Sequence, residues 1–442
     1  MTTLVFGLGE SGVAATRALV ERGDAVVVAD ADDNEGLRHT LAGLDVSGQL
    51  GAGPEVLEGV DRVVASPGIS PRSPVLRSAE ERGLPVVSEL GLGLELLGGG
   101  ARVAAVTGTN GKTTVVDMIH RMLEVAGKPH AVAGNSWRSL TGCVEEARMA
   151  GLLVLEASSF QLHYLHSPGF EVAALLNVRP DHLNWHDSFE EYVADKLRIF
   201  DGQRERDLAL LSAEDPVGRG TAGDLDAEVL MIGRGGTILR DGSLFLRGEH
   251  LADVGELRFV GRHNYEDALF AAAAAQKLGA TPGHIREALL AYEAKPHRVQ
   301  VVAEVAGVTY VDDSKATNPA AVVAALNSFE APVVVILGGS EKFTDFSELP
   351  PALDGCRAVI CQGEAGPRIA AYLQEKGWGD VIHEAPDLEA AVQRAEALAK
   401  SGDVVLLSPG CASFDQFSGY VERGEVFAGF VREHAARGTA RR

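Results

Sequence analysis

The sequence predicts an α/β fold of three domains, Rossmann-like at both ends with a phosphate-loop domain of the ATPase type between them. Three observations predict it. A glycine turn closes a strand and opens a helix near the N-terminus, and a second turn, carrying a lysine, does the same at Gly108–Lys112. After residue 297 come three apolar strands, each with a polar tip. A chain of 442 residues is too long for one hydrophobic core, so two or three domains are the expectation.

Composition narrows the function classes. A hydrophobic content of 46% with abundant Gly and Ala fits an α/β protein. The net charge of -22 argues against a general nucleic-acid or anionic-membrane surface but leaves room for a local basic pocket. Cys143, Cys356, Cys361 and Cys411 are scattered without metal-type spacing and read as buried free thiols of a reducing cytoplasm. The chain opens on a strand pattern without a charged leader, and no apolar run approaches membrane-spanning length. The expected location is cytoplasmic.

In chain order, Leu4–Gly12 leads into a helix pattern to Arg22 and then the strand Ala25–Asp30. Gly7, Gly9 and Gly12 make G-x-G-x-x-G, the dinucleotide fingerprint, with Asp30 placed to hold a ribose. Taken alone this says NAD, although any nucleotide diphosphate can use the turn. Ser66-Pro67-Gly68 closes a later strand at its carboxyl end, where ligands bind in open sheets. Gly91, Gly93 and Gly98 to Gly100 thin the sequence, and the first domain boundary is set near residue 93.

The second domain, 94–296, begins with the strand Arg102–Val106, the loop Gly108-Thr109-Asn110-Gly111-Lys112-Thr113-Thr114 and an amphipathic helix. Glycines let backbone N–H groups approach phosphate oxygens, and the helix N-terminus adds partial positive charge. Lys112 can reach the terminal phosphates and Thr113 can ligate Mg²⁺. The loop is short: Val106 stands where the strict pattern has its first Gly. The strand Leu152–Glu156 delivers a carboxylate of the kind that serves Mg²⁺ in phosphate-loop enzymes. A strand at Ala173–Val178 runs on to His182, expected at a strand end beside Glu156 in a structural or metal role. The helix Ser188–Phe200 carries Lys196, which reads as a solvated surface lysine. His263 and Asn264 open an alanine-rich helix, where they cap it or bind ligand.

The third domain, 297–442, carries three strand-then-polar-tip units. They are Thr309–Pro319, Ala331–Lys342 and Val404–Phe417, expected to share one cleft facing the phosphate loop.

Gly-Thr-Asn-Gly-Lys-Thr-Thr, Glu-Ala-Ser-Ser-Phe-Gln, Asn-Val-Arg-Pro-Asp-His, His-Arg-Val, Asp-Asp-Ser-Lys-Ala-Thr-Asn and Leu-Gly-Gly-x-x-Lys together resemble the Mur ligases. These are the ATP-dependent amino-acid-adding enzymes of peptidoglycan synthesis. Ser-Pro-Gly-Cys-Ala-Ser-Phe-Asp-Gln-Phe resembles the member that adds D-glutamate to UDP-N-acetylmuramoyl-L-alanine. The resemblance covers the whole chain and implies an acyl-phosphate reaction. It implies that Gly108, Thr109, Asn110, Gly111, Lys112, Thr113 and Thr114 hold the ATP phosphates, with Asn264, Arg298 and Asp313 lining the ATP site. It implies Mg²⁺ on Thr113 and Glu156, and a second Mg²⁺ served by His182 and a carbamylated Lys196. The UDP substrate falls to Glu10, Ser11, Asp30, Ala31, Gly68, Asn135 and His182. D-glutamate falls to Thr317, Lys342, Ser413, Phe414 and Tyr420. A monomer is implied, with neither nucleic acid nor membrane as partner.

Three positions depart from the family pattern. Asp267 replaces an Asn, and a carboxylate only accepts where an amide also donates to adenine. Asp32 stands where some relatives are basic, and Tyr420 where a Phe is usual. The rival readings are a nicotinamide-dependent oxidoreductase, a phosphate-loop kinase or switch ATPase, and another Mur ligase or a folylpolyglutamate synthetase. The first two leave whole domains unexplained. The folate enzyme resembles only the later two domains.

Overall fold

The computed structural model describes residues 1–166, 168–182, 185–293, 295–329, 331–341 and 344–439. Lys342, one of the expected site residues, lies outside them.

The first sheet is built from β1 (Thr2–Phe6), β2 (Ala25–Asp30), β3 (Ser47–Leu50), β4 (Arg62–Ala65) and β5 (Val86–Ser88), with apolar runs in β1, β2 and β4. It is parallel, in the order β3-β2-β1-β4-β5. Leu4 and Phe6 fill the core on one face and Val5 the core on the other, as the period of two requires. The order reverses beside β1, so the glycine turn after β1 opens at a topological switch point.

The second sheet contains β6 (Arg102–Thr107), β7 (Ala131–Gly134), β8 (Leu152–Glu156), β9 (Val172–Leu175), β10 (Leu208–Ser212) and β11 (Glu228–Ile232). It is parallel in the order β11-β10-β9-β6-β8-β7, which puts β6 at the reversal. Buried parallel strands need apolar residues on both faces, and β8 has them in Leu152 to Leu155. The phosphate loop follows β6.

An antiparallel sheet of β12 (Ile238–Arg240), β13 (Ser243–Leu246) and β14 (Glu249–Asp253) comes next. Sequence reading did not foresee it. These strands are short and alternate weakly, with only Leu244, Leu246, Leu251 and Ala252 buried.

The last sheet holds β15 (Gln300–Val305), β16 (Val308–Asp312), β17 (Val333–Gly338), β18 (Cys356–Gln362), β19 (Ile382–Ala385) and β20 (Val404–Leu407). Its order is β15-β16-β20-β17-β18-β19, parallel except for the β15–β16 pair. β16, β20 and β17 are neighbours, so their three polar tips emerge side by side. Val333, Val335 and Leu337 enter one core and Val334 and Ile336 the other.

Two compact units result: Met1–Asp253 with Glu266–Leu290, and Val254–Tyr265 with Ala291–Arg442. Among the described residues no helix is long and apolar enough to cross a membrane.

Candidate active site and substrate loops

The phosphate loop is held by its neighbours. Gly111 caps the helix Lys112–Val125 in the left-handed region, at φ 86. A Cβ on it would stand 2.6 Å from Asp267 Oδ1, so both left-handed φ and space demand glycine. Asp267 thus lies against the loop itself. Asn177 accepts from Asn110 N at 2.9 Å, and its carbonyl accepts from Thr109 N at 2.9 Å. Lys112 Nζ donates to Gly108 O at 2.8 Å and Thr109 O at 2.9 Å.

Lys196 corrects the sequence reading. It is 1% exposed, not a solvated surface lysine, and its Nζ donates to Gly108 O at 2.9 Å. Burial, and next the repulsion of Lys112, push its pKa well below the ordinary lysine value. One turn of helix explains the position. Ser188 caps the helix Phe189–Leu197, and Asp195 on it is clasped by two histidines. His163 Nδ1 lies 2.7 Å from Asp195 Oδ2 and His186 Nδ1 lies 3.2 Å from it. Burial works against the Asp195 carboxylate, but the bonds from His163 and His186 outweigh it and hold its pKa below the usual value. That clasp fixes the helix so that the next residue, Lys196, faces the loop.

Glu156, at the tip of β8, is fully buried. Its Oε1 accepts from Ser136 Oγ at 2.9 Å, Asn135 Nδ2 at 3.0 Å and Thr113 Oγ1 at 3.2 Å. Among the described residues its Oε2 is buried with no hydrogen-bond partner. An uncompensated carboxylate oxygen is costly, and together with the adjacent Thr113 hydroxyl it forms an oxygen donor set that fits a hard divalent cation. Ser136 was missed by sequence reading, because a lone serine after a strand carries no signal.

His182 lies on the loop that follows β9. β6 separates β9 from β8, and six residues of loop lie between β9 and the histidine. Its backbone takes φ 56, and its ring meets Phe160 edge-on with centroids 4.9 Å apart. Burial lowers its pKa; Asp181 opposes that, while the charges of Lys112 and Lys196 add to it.

The first glycine turn divides its labour. A Cβ on Gly12 would meet Gly7 O at 1.8 Å, and one on Gly7 would meet Ser66 Cβ at 2.7 Å. Gly9 has open space instead. Both oxygens of Asp30 are engaged, accepting from Leu8 N at 2.7 Å and Asp32 N at 3.0 Å. The acid fastens the turn to β2. Glu10, Ala31 and Gly68 are exposed around the turn and Ser11 half-buried. A groove of about 600 Å³ is lined by Leu8, Gly9, Glu10, Arg17, His39 and Arg138, the last close in sequence to Asn135.

In the second unit, Arg298 sits between two strained residues, His297 at φ 66 and Val299 at φ 46. His297 Nδ1 lies 2.7 Å from Asp312 Oδ2, and Val299 N donates to Asp313 Oδ1 at 3.3 Å. Asp313 also accepts from Ser408 Oγ at 2.7 Å, and burial raises its pKa to about 7. Thr317 is exposed, Phe414 is 69% exposed, and Ser413 is buried. Lys315 Nζ stands 4.0 Å from the centre of the Tyr420 ring. Asn264 is turned into its own helix start, donating to Val260 O at 2.6 Å.

Comparison with known proteins adds three kinds of match. Residues 1–88 match the model of the Mur ligase MurD-like N-terminal domain. Residues 106–275 match the Mur ligase middle domain and 297–411 the Mur ligase glutamate ligase domain. A UDP-N-acetylmuramoylalanine–D-glutamate ligase of Rubrobacter xylanophilus is 68% identical over 427 residues, covering 96% of this chain and 97% of the relative. One of Syntrophus aciditrophicus is 38% identical over 455 residues, covering 98% of each. Among solved structures, MurF from Acinetobacter baumannii superposes with TM-score 0.60 at 16% identity, over 97% of this chain and 93% of that one. UDP-N-acetylmuramate-alanine ligase MurC from Thermotoga maritima does so with TM-score 0.57 at 19% identity, over 98% and 100%. At such identities the structures speak for the fold alone.

Proposed function

The chain belongs to the Mur ligase family, and on that premise we propose that it joins D-glutamate to UDP-N-acetylmuramoyl-L-alanine, driven by ATP, in peptidoglycan synthesis. The relatives' names point to the substrates. One observation supports the chemistry above the others: the orphaned Glu156 Oε2 beside Thr113, with Lys112 and Lys196 both bonded to the carbonyl of Gly108 in the adjoining loop.

A free carboxylate is a poor electrophile. Transfer of the ATP γ-phosphoryl group to the alanine carboxylate gives an acyl phosphate and ADP. The D-glutamate amine then attacks the acyl carbon, loses a proton, and phosphate leaves. Phosphoryl transfer needs position and charge neutralisation more than covalent help. The loop amides of Gly108 to Thr114 and the Lys112 ammonium hold the transferred charge, with Lys112 exchanging its carbonyl partners for phosphate oxygens. Thr113 and Glu156 would hold Mg²⁺, which would neutralise phosphate charge when bound. Asn135 joins Glu156 to the sugar–alanine end of the substrate, and the Gly9–Ser11 turn with Asp30, Ala31 and Gly68 holds its diphosphate and uridine. Asn264, Arg298 and Asp313 serve the nucleotide. Thr317, Lys342, Ser413, Phe414 and Tyr420 serve D-glutamate.

An amine is no ligand for a hard cation, but a carbamate oxygen is. The depressed pKa of Lys196 favours a neutral amine, which adds CO₂ to give a carbamate and a released proton. His182 and that carbamate would serve a second Mg²⁺. A monomer remains the expected working unit, and four free thiols fit a cytoplasmic setting.

The test is phosphate release with UDP-N-acetylmuramoyl-L-alanine, ATP and Mg²⁺, comparing D-Glu with L-Glu and other amino acids. Release dependent on D-Glu is expected. Release without the UDP substrate or any amino acid would instead mark a phosphate-loop ATPase.

A further inference from the structure

The three strand tips of the last sheet meet at one side chain that sequence reading passed over. Arg423, in the first turn of the helix Tyr420–Thr439, is 0% exposed. Its Nε donates to Ser314 Oγ at 3.0 Å and its Nη2 to Ser314 O at 2.8 Å, in the loop after β16. Nη2 and Nη1 also donate to Cys411 O and Ala412 O, both at 3.1 Å, in the loop after β20. The loop after β17 closes the circle. Ser340 N donates to the same Ala412 carbonyl at 2.9 Å, and a Cβ on Gly339 would stand 3.0 Å from Arg423 Nη1 and 2.2 Å from Ala412 O.

Among the described residues no carboxylate hydrogen-bonds this guanidinium. Burial lowers its pKa to about 10, against the pull of nearby anions. Burying a cation on carbonyls and one hydroxyl is a costly way to fill space, and an apolar side chain of similar volume would pack with less penalty. What arginine adds is a planar fork of donors at fixed angles. It sets the distance between loops that touch it. Those loops carry Asp313 and Thr317, Ser413 and Phe414, and the Gly338-Gly339 turn. The Tyr420 carbonyl joins the same network by accepting from Ser314 Oγ at 2.8 Å.

We propose that Arg423 is a positioning residue for the amino-acid side of the reaction, its guanidinium spacing the three strand-tip loops so that they grip D-glutamate as one pocket. This rests on the assignment of those loops to D-glutamate and nucleotide made above.

Arg423→Lys keeps the charge and loses the fork. A merely structural role predicts a lower melting temperature with the substrate dependence unchanged. The positioning role predicts at least a tenfold rise in KM for D-glutamate, with KM for the UDP substrate within twofold of wild type. Sub-denaturing guanidinium should restore part of the D-glutamate response in Arg423→Ala. Where those variants fail to fold, Ser314→Ala keeps the arginine and removes the hydroxyl that its Nε bonds, and KM for D-glutamate should rise roughly tenfold, the scale of one charge-assisted hydrogen bond. Unchanged D-glutamate dependence in folded Arg423→Lys, or in Ser314→Ala where Arg423→Lys does not fold, overturns the proposal. Wild-type enzyme run alongside separates the two readings: if it releases no phosphate in response to D-glutamate, the assigned reaction fails, not the role of Arg423 within it.

Discussion

Two glycine turns in this chain look alike and are built for opposite ends. Each follows the strand at which its sheet reverses order, and each opens a helix. Around the first, the glycines serve packing and the fingerprint acid serves the turn, leaving only Gly9 open to a visitor. Around the second, two lysines crowd one carbonyl, that of Gly108, and a buried carboxylate waits on the neighbouring strand β8, one of its oxygens unpaired among the described residues. The first turn can hold a diphosphate by backbone N–H groups and leave it intact. The second gathers ionisable side chains around the loop, which is what moving a phosphoryl group demands. Glycine spacing says where phosphate is bound; the charges behind the loop say whether it reacts.

The sharpest break in this comparison is Gly12→Val. Its Cβ would stand 1.8 Å from Gly7 O, a backbone atom that cannot step aside. A loss of about 3 kcal/mol or more in folding stability is expected, read by urea titration. A stable variant would mean the turn is not close-packed. Lys112→Ala comes next and acts on the other property. Turnover should fall roughly a hundredfold or more, about 3 kcal/mol of transition-state stabilisation, with the melting temperature nearly unchanged. Wild-type turnover would remove Lys112 from the phosphate site. Gly9→Val has room to fold, since nothing lies within 4 Å of its Cβ. It should raise KM for the UDP substrate roughly tenfold, about 1.4 kcal/mol, and leave that for ATP alone. Equal loss of both would show that the two turns are not independent.

The smallest effect separates the turns by pH. Lys196 has a native pKa below its ordinary 10.5, so between those values the unfolded chain binds more protons than the folded one. Stability therefore rises with pH through that window, by at most about 1.4 kcal/mol per pH unit for one proton. Lys196→Met should lose this slope in CO₂-free buffer, measured by denaturant titration at several pH values. Parallel curves for the two proteins would mean the lysine is charged in the fold.

What was legible in the sequence was whatever local pattern determines. β8 was read at its observed bounds because four apolar residues ending in an acid have few other uses. The helix from Ser188 was read almost to the residue, since Ser188 is its cap. The face on which Lys196 lies was not legible. It depends on Asp195 meeting His163 from a separate helix and His186 from the connecting loop, and no window of sequence contains that contact. Ser136 and Arg423 escaped for the same reason: Glu156 lies 20 residues from the one and Ser314 lies 109 from the other. β9 ends at Leu175 rather than Val178 because Asn177 turns out of the sheet to bond the phosphate loop.

Asp30 carries a lesson for reading genomes. An acid at the end of the second strand is commonly taken as the mark of a bound ribose, and so of a dehydrogenase. Here two backbone amides, those of Leu8 and Asp32, already account for it. The residue would be retained by any protein that needs this turn to hold its shape, whatever nucleotide arrives or none. A scan keyed on the fingerprint would file this ligase among oxidoreductases, and one that also required the lysine loop of the following sheet would not.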